Sequence, residues 1–158
     1  MHFIAHRGNT KGPNSELENH PEYIRKALIE GYEVEVDLWR EADQWVLGHD
    51  EPQYEISEAF LTPYLKTNQL WLHIKNIDGL DFLAHQRHST ETVWNYFWHQ
   101  KDDYTLTTGG FIWAYPGQRL TSKTICVMPE RTNYTKTDIS HAAGICSDFI
   151  STYKGSYQ

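Results

Sequence analysis

Imidazole, carboxylate and cationic side chains gather in four short stretches: His6-Arg7-Gly8, Glu35-x-Asp37, His49-Asp50 and His73-x-Lys75. These are the groups that exchange protons, hold ions and grip phosphates. Singly, each stretch has a plainer reading. His6 would be a satisfied surface or core histidine, Glu35 and Asp37 a solvated strand face, His49-Asp50 a turn, and Lys75 an exposed cation. They gain a joint meaning because each falls on or just after a predicted strand. The C-terminal ends of parallel strands converge on one rim, where α/β barrels build their active sites.

The positioning elements read as strands separated by helices or loops. Phe3-Ile4-Ala5 is a short apolar strand running into the turn-rich tract Gly8-Asn9-Thr10-Lys11-Gly12-Pro13-Asn14. Asn19 as a cap, Glu22 completing a capping box and Pro21 in the first turn predict a helix that Gly31 stops. Its face carries Tyr23, Ile24, Ala27 and Leu28. From Glu33 to Leu38 the residues alternate strictly, with Val34, Val36 and Leu38 on one side and Glu33, Glu35 and Asp37 on the other. Further strands are expected at Trp45–Gly48, Leu70–Lys75, Thr92–Trp98, Thr124–Met128 and Gly144–Phe149, with a hairpin across Tyr104–Tyr115. Helices are expected within Ile56–Lys66, interrupted near Pro63, and at Asp78–His88 and Asp138–Ala143.

No linker or repeat divides the 158 residues, so residues 1–158 read as a single domain. With 22% charged residues and a net charge of −7, the composition is that of a folded chain. The acidic balance excludes a general nucleic-acid binder, which needs a basic stripe to displace counterions. No run approaches the ~20 apolar residues of a membrane span, and the start Met1–Arg7 lacks a secretory pattern. A cytoplasmic protein is expected. Cys126 and Cys146 lie in apolar runs without metal-ligand spacing and are expected as buried, reduced thiols.

Taken together, Ile4-Ala5-His6-Arg7-Gly8, Glu18-Asn19, Glu35-x-Asp37, Gly48-His49-Asp50 and Ile74-Lys75 resemble the glycerophosphodiester phosphodiesterase family over roughly residues 3–75. A weaker echo, Gly144-Ile145-Cys146-Ser147-Asp148, is similar to the last barrel strand of that family. The ordered combination is specific, whereas HRG alone is weak. The resemblance implies an α/β fold, a TIM-type (β/α) barrel, shortened or incomplete with several helices replaced by loops. It implies metal-dependent hydrolysis of a glycerophosphodiester-like or lipid-derived phosphodiester. His6 and His49 would be the acid/base pair, suited to it by an unperturbed pKa of ~6.5. Glu35 and Asp37 would be ligands for Mg²⁺ or Ca²⁺. Arg7 and Lys75 would bind the phosphate and stabilise the charge that develops on it. Glu18 would either orient Arg7 or approach the metal.

The family pattern E-x-K is His73-Ile74-Lys75 in this chain, so the third metal ligand differs. His73 could replace the glutamate, which would favour Mn²⁺ or Zn²⁺, or Glu130 could compensate from another strand. The chain is also short against the ~250 residues of a typical TIM barrel. An incomplete barrel exposes strand edges that a second copy could cover, so a homodimer is expected. In Trp94–Gln100 the aromatics read either as core or, through Trp98 and His99, as a pocket lining for the leaving alcohol, with Tyr115 bordering the same cleft. His85, His88 and His141 have no spacing partner and are expected on helix surfaces. The rivals to hydrolysis are a non-catalytic phosphate- or ligand-binding barrel and a phospholipase C-type lyase that gives a cyclic phosphate.

Overall fold

The computed structural model describes residues 1–86 and 94–157. Strand β1 (His2–His6) is flanked by two parallel neighbours, β2 (Glu33–Glu41) and β10 (Gly144–Ser147). Beyond β2 lie parallel β5 (Leu70–Ile74) and β6 (Tyr96–Trp98). Beyond β10 lie parallel β9 (Thr124–Val127) and β8 (Ile112–Ala114), then antiparallel β7 (Tyr104–Leu106). The far half of β2 continues into an antiparallel meander of β3 (Gln44–Leu47) and β4 (Tyr54–Ile56). The helices are α1 (Pro21–Ile29), α2 (Glu58–Lys66), α3 (Ile77–Gln86), α4 (Lys136–Ser140) and α5 (Ile150–Tyr157), with a 3-10 turn at Pro129–Arg131.

These ten strands form one mixed sheet curled into a half-barrel, which corrects the expected TIM-type barrel of alternating β/α units. Two local causes are visible. Ala42 and Asp43, at φ 45° and 67°, make a two-residue hairpin turn, so β3 returns antiparallel to β2 where a crossover helix was expected. Parallel β8 and β9 are joined through residues 115–123 without a helix. The hairpin over Tyr104–Tyr115 forms as expected.

The alternation in β2 sorts residues as predicted, but its polar side is buried. Val34, Val36 and Leu38 pack outward against Ile24, Ala27 and Leu28 of α1 and Leu61 and Leu65 of α2. Helix α2 runs through Pro63 without interruption, since Leu61 and Leu65 anchor it on either side. The opposite faces bring Ile4, Trp71, Phe97, Trp113, Ile125, Val127 and Cys146 together inside the curl. Because side chains on a strand alternate, Ile4 and Trp71 share a face with His6 and His73, two residues further along. The apolar cluster therefore floors a polar layer at the C-terminal ends of the parallel strands.

Both cysteines are buried and free, and burial pushes the Cys126 thiol up to about 12. His85 and His141 are exposed, while His88 and the start of the strand expected at Thr92–Trp98 lie outside the described residues. Among the described residues no helix is long and apolar enough to cross a membrane.

Candidate active site

Strand β1 ends at His6, and the chain then turns sharply through Arg7 (φ 52°) and Gly8 (φ 89°). A Cβ at Gly8 would meet Tyr23 Cδ1 at 2.9 Å, so the HRG glycine lets this turn pack onto α1. His6 Nδ1 donates to Asp148 Oδ1 at 2.8 Å, leaving Nε2 on the side of Glu35 Oε2, 3.9 Å away. Asp148 also accepts from Asn9 Nδ2 at 2.8 Å, and its backbone N–H donates to Glu130 Oε1 at 3.2 Å. Glu130 Oε2 accepts from Ser147 Oγ, so Glu130 braces the end of β10 and stands apart from the cluster of Glu35, Asp37 and His73.

Burial works to raise the Asp148 carboxyl, but the hydrogen bond and charge of His6, with Asn9 and Arg131, bring it below the usual carboxylate range. A carboxyl depressed on folding stabilises the protein above its unfolded pKa, and that contribution disappears as pH falls through the folded value. Asp148→Asn is accordingly expected to flatten the acid limb of a denaturation profile recorded from pH 5 downward. An unchanged slope would contradict the pairing.

Asp37 is the hub of the polar layer, with no exposed surface. Arg7 Nε lies 3.0 Å from its Oδ2, His73 Nδ1 3.0 Å and Lys75 Nζ 3.4 Å from its Oδ1. Asn19 Nδ2 donates to Oδ2 at 3.0 Å, and Asn19 Oδ1 accepts from the Asp37 backbone N–H. Asn19 is therefore not the cap of α1. It sits at φ 61°, and His20 caps the helix by accepting from the Glu22 N–H. Glu18 orients Arg7, accepting from Nη1 at 3.0 Å while its other oxygen takes Asn9 Nδ2. Burial opposes ionisation of Asp37, but His73, Arg7 and Lys75 together hold its carboxyl well below the usual range. Burial and then Asp37 raise Glu35, against the pull of His6, His73 and Arg7. Glu35, Asp37 and His73 each offer a ligand atom within 4.8 Å of the others, a set able to hold a cation.

His49 arrives by the β3 return. Its Nδ1 lies 2.7 Å from Asp50 Oδ1, and burial lowers its pKa, with Asp37 and Asp50 pulling it up against Arg7 and Lys75. The preceding Gly48 has φ 154°, and a Cβ there would stand 2.0 Å from Glu51 O. Gly48→Ala is expected to destabilise by about 1–3 kcal/mol, as overpacking does, and to displace His49. A urea melt within 0.3 kcal/mol of wild type, on the scale of an ordinary surface substitution, would contradict this.

His6, Arg7, Glu35, His49, His73 and Lys75 all line one cavity of about 750 Å³. Its far wall is Trp98, His99 and Tyr115, joined because Thr105 Oγ1 donates to Trp98 O at 2.8 Å and His99 stacks on Tyr115 at 3.6 Å. Phe97 belongs to the inner core, while Trp98 faces the cavity. Burial first, then the charges of His73 and Lys75, brings the His99 imidazole down to about 4. Burial and then Glu35 push the Tyr115 phenol well above its ordinary value. Asn9, the Asn19–Asp37 bridge and the role of Asp148 escaped sequence reasoning. The only signal was the Asp at the end of a late strand. No family model, curated protein or solved structure matches this chain.

Proposed function

We propose that this cleft hydrolyses a phosphodiester, glycerophosphodiester-like or lipid-derived, with a divalent cation held by Glu35, Asp37 and His73. The observation that carries the reading is the convergence of His6 and His49 on one cavity with Arg7, Lys75 and that cluster. The ordered motifs that resemble the glycerophosphodiester phosphodiesterases support it independently. The cation, when bound, neutralises phosphate charge and can acidify a bound water or hydroxyl.

His49, favoured in its neutral form by burial, takes the proton of the attacking oxygen. His6, held by Asp148 with Nε2 on the Glu35 side, returns a proton to the departing alkoxide. Arg7, fixed between Glu18 and Asp37, offers donors to the phosphate, with Lys75 as a point charge beside it. Trp98 and the His99–Tyr115 stack give the leaving alcohol an aromatic wall.

The test is incubation with glycerophosphodiesters followed by phosphorus NMR. A phosphomonoester and a free alcohol are expected, with product formation lost on chelation. A cyclic phosphate as the end product would replace hydrolysis with a lyase reaction, and binding without any product would refute turnover.

A further inference from the structure

We infer that His73 makes the carboxylate cluster a mixed oxygen–nitrogen site for a transition cation of the Mn²⁺, Co²⁺ or Zn²⁺ class, in preference to Mg²⁺ or Ca²⁺. The inference rests on the cation-holding part of the proposed function and is independent of turnover. Register places His73 directly beside Asp37, across the β2–β5 ladder. Its ring stacks on Phe97 at 5.0 Å with an interplanar angle of 9°, which fixes the plane. Its Nε2 lies 3.2 Å from the His99 carbonyl oxygen. A carbonyl oxygen can only accept, so Nε2 carries the hydrogen. In the neutral ring the lone pair then belongs to Nδ1, the atom that faces Asp37 Oδ1 at 3.0 Å and Glu35 Oε1 at 3.8 Å. A backbone carbonyl on the remote nitrogen is the arrangement that orients metal-bound histidines.

A second observation points to the same place. Asp37 Oδ1 is fully buried, yet no hydrogen bond reaches it, although His73 Nδ1 and Lys75 Nζ are near. An unsatisfied buried carboxylate oxygen is costly, and a cation between it, Glu35 Oε1 and His73 Nδ1 would satisfy it. Two ligands bound at ~2.1 Å to one ion lie no more than about 4.2 Å apart, and the three ligand atoms here lie within 4.8 Å of one another. His73 Nδ1 meets that limit with both carboxylates. Imidazole nitrogen is a good donor to Co²⁺ and Zn²⁺, a weaker one to Mn²⁺ and a poor one to Mg²⁺ and Ca²⁺, which prefer oxygen.

The test is calorimetric titration of the metal-stripped full chain with Mn²⁺, Co²⁺, Mg²⁺ and Ca²⁺, with pulsed EPR of the Mn²⁺ form. Co²⁺ is expected to bind at least ~100-fold more tightly than Mg²⁺ and Ca²⁺, with Mn²⁺ between them, and the EPR to show coupling to one imidazole nitrogen. His73→Glu should shrink that ratio at least ~10-fold and abolish the nitrogen coupling, with His73→Gln replacing it if the glutamate variant fails to fold. Equal affinity for all four ions, no binding of any of them, or nitrogen coupling that persists in the variant would overturn the inference. Nitrogen-coupled Mn²⁺ without phosphodiester cleavage would uphold it and refute the proposed reaction. Cleavage supported equally by Mg²⁺ without nitrogen coupling would do the reverse.

Discussion

His6→Ala is expected to lower the turnover of a cleavable phosphodiester by about 10²–10⁴-fold, the range lost when a positioned acid or base is removed. The size follows from how tightly this imidazole is held. It is mostly buried, hydrogen-bonded through Nδ1 to Asp148, and free at Nε2 on the cavity side. Asp148→Asn should cost nearly as much without removing the imidazole. An asparagine has no charge to balance the imidazolium that hands its Nε2 proton to the departing alkoxide, so the proton donor is weakened while the ring stays in place. Asn9 Nδ2 donates to the same Asp148 oxygen as His6 and keeps Glu18 as its other acceptor, so stability is measured on both variants to separate folding from catalysis. His49→Ala should fall in the same range with little change in stability, since that side chain is 39% exposed. Steady-state rates beside urea midpoints decide it. Retention of full activity in both His6→Ala and His49→Ala would end the acid/base assignment.

How far the sequence disclosed this site depends on whether each signal was local. Strict alternation across Glu33–Leu38 is a property of six neighbouring residues, and it correctly separated Glu35 and Asp37 from the apolar face. What it could not show is that the polar side would be enclosed, because the enclosing residues come from β5, β6, β8 and β9. The antiparallel return after β2 was hidden because Ala42-Asp43 lacks the glycine that usually marks so tight a turn. Asn19 looked like a helix cap because its neighbours fit one, yet its amide is committed to Asp37, 18 residues away. The bond between His6 and Asp148 spans 142 residues, so the late aspartate was visible without its function. Strand β4 is three residues long, and helix α5 buries only Ile150 among its residues, so neither carries a pattern strong enough to read.

Removal of the Asp37 carboxylate is expected to be the most destabilising single change in the site. In Asp37→Ala, Arg7 and Lys75 lose the counter-charge that each approaches within 3.4 Å, and Asn19 Nδ2 loses its acceptor. Truncating one partner of a buried ionic cluster typically costs about 3–5 kcal/mol, because the charges left behind remain desolvated. Two effects work the other way. Glu35 is relieved of its repulsion from Asp37, and Arg7 keeps Glu18 as a partner. Neither reaches Lys75, which has no second carboxylate within 4 Å among the described residues. With a urea slope of about 2 kcal/mol/M, the midpoint should fall by roughly 1.5–2.5 M. A drop of less than about 0.3 M would mean that the cations around Asp37 escape to solvent when it is removed. The site would then not be the rigid, charge-balanced layer on which the proposed chemistry depends.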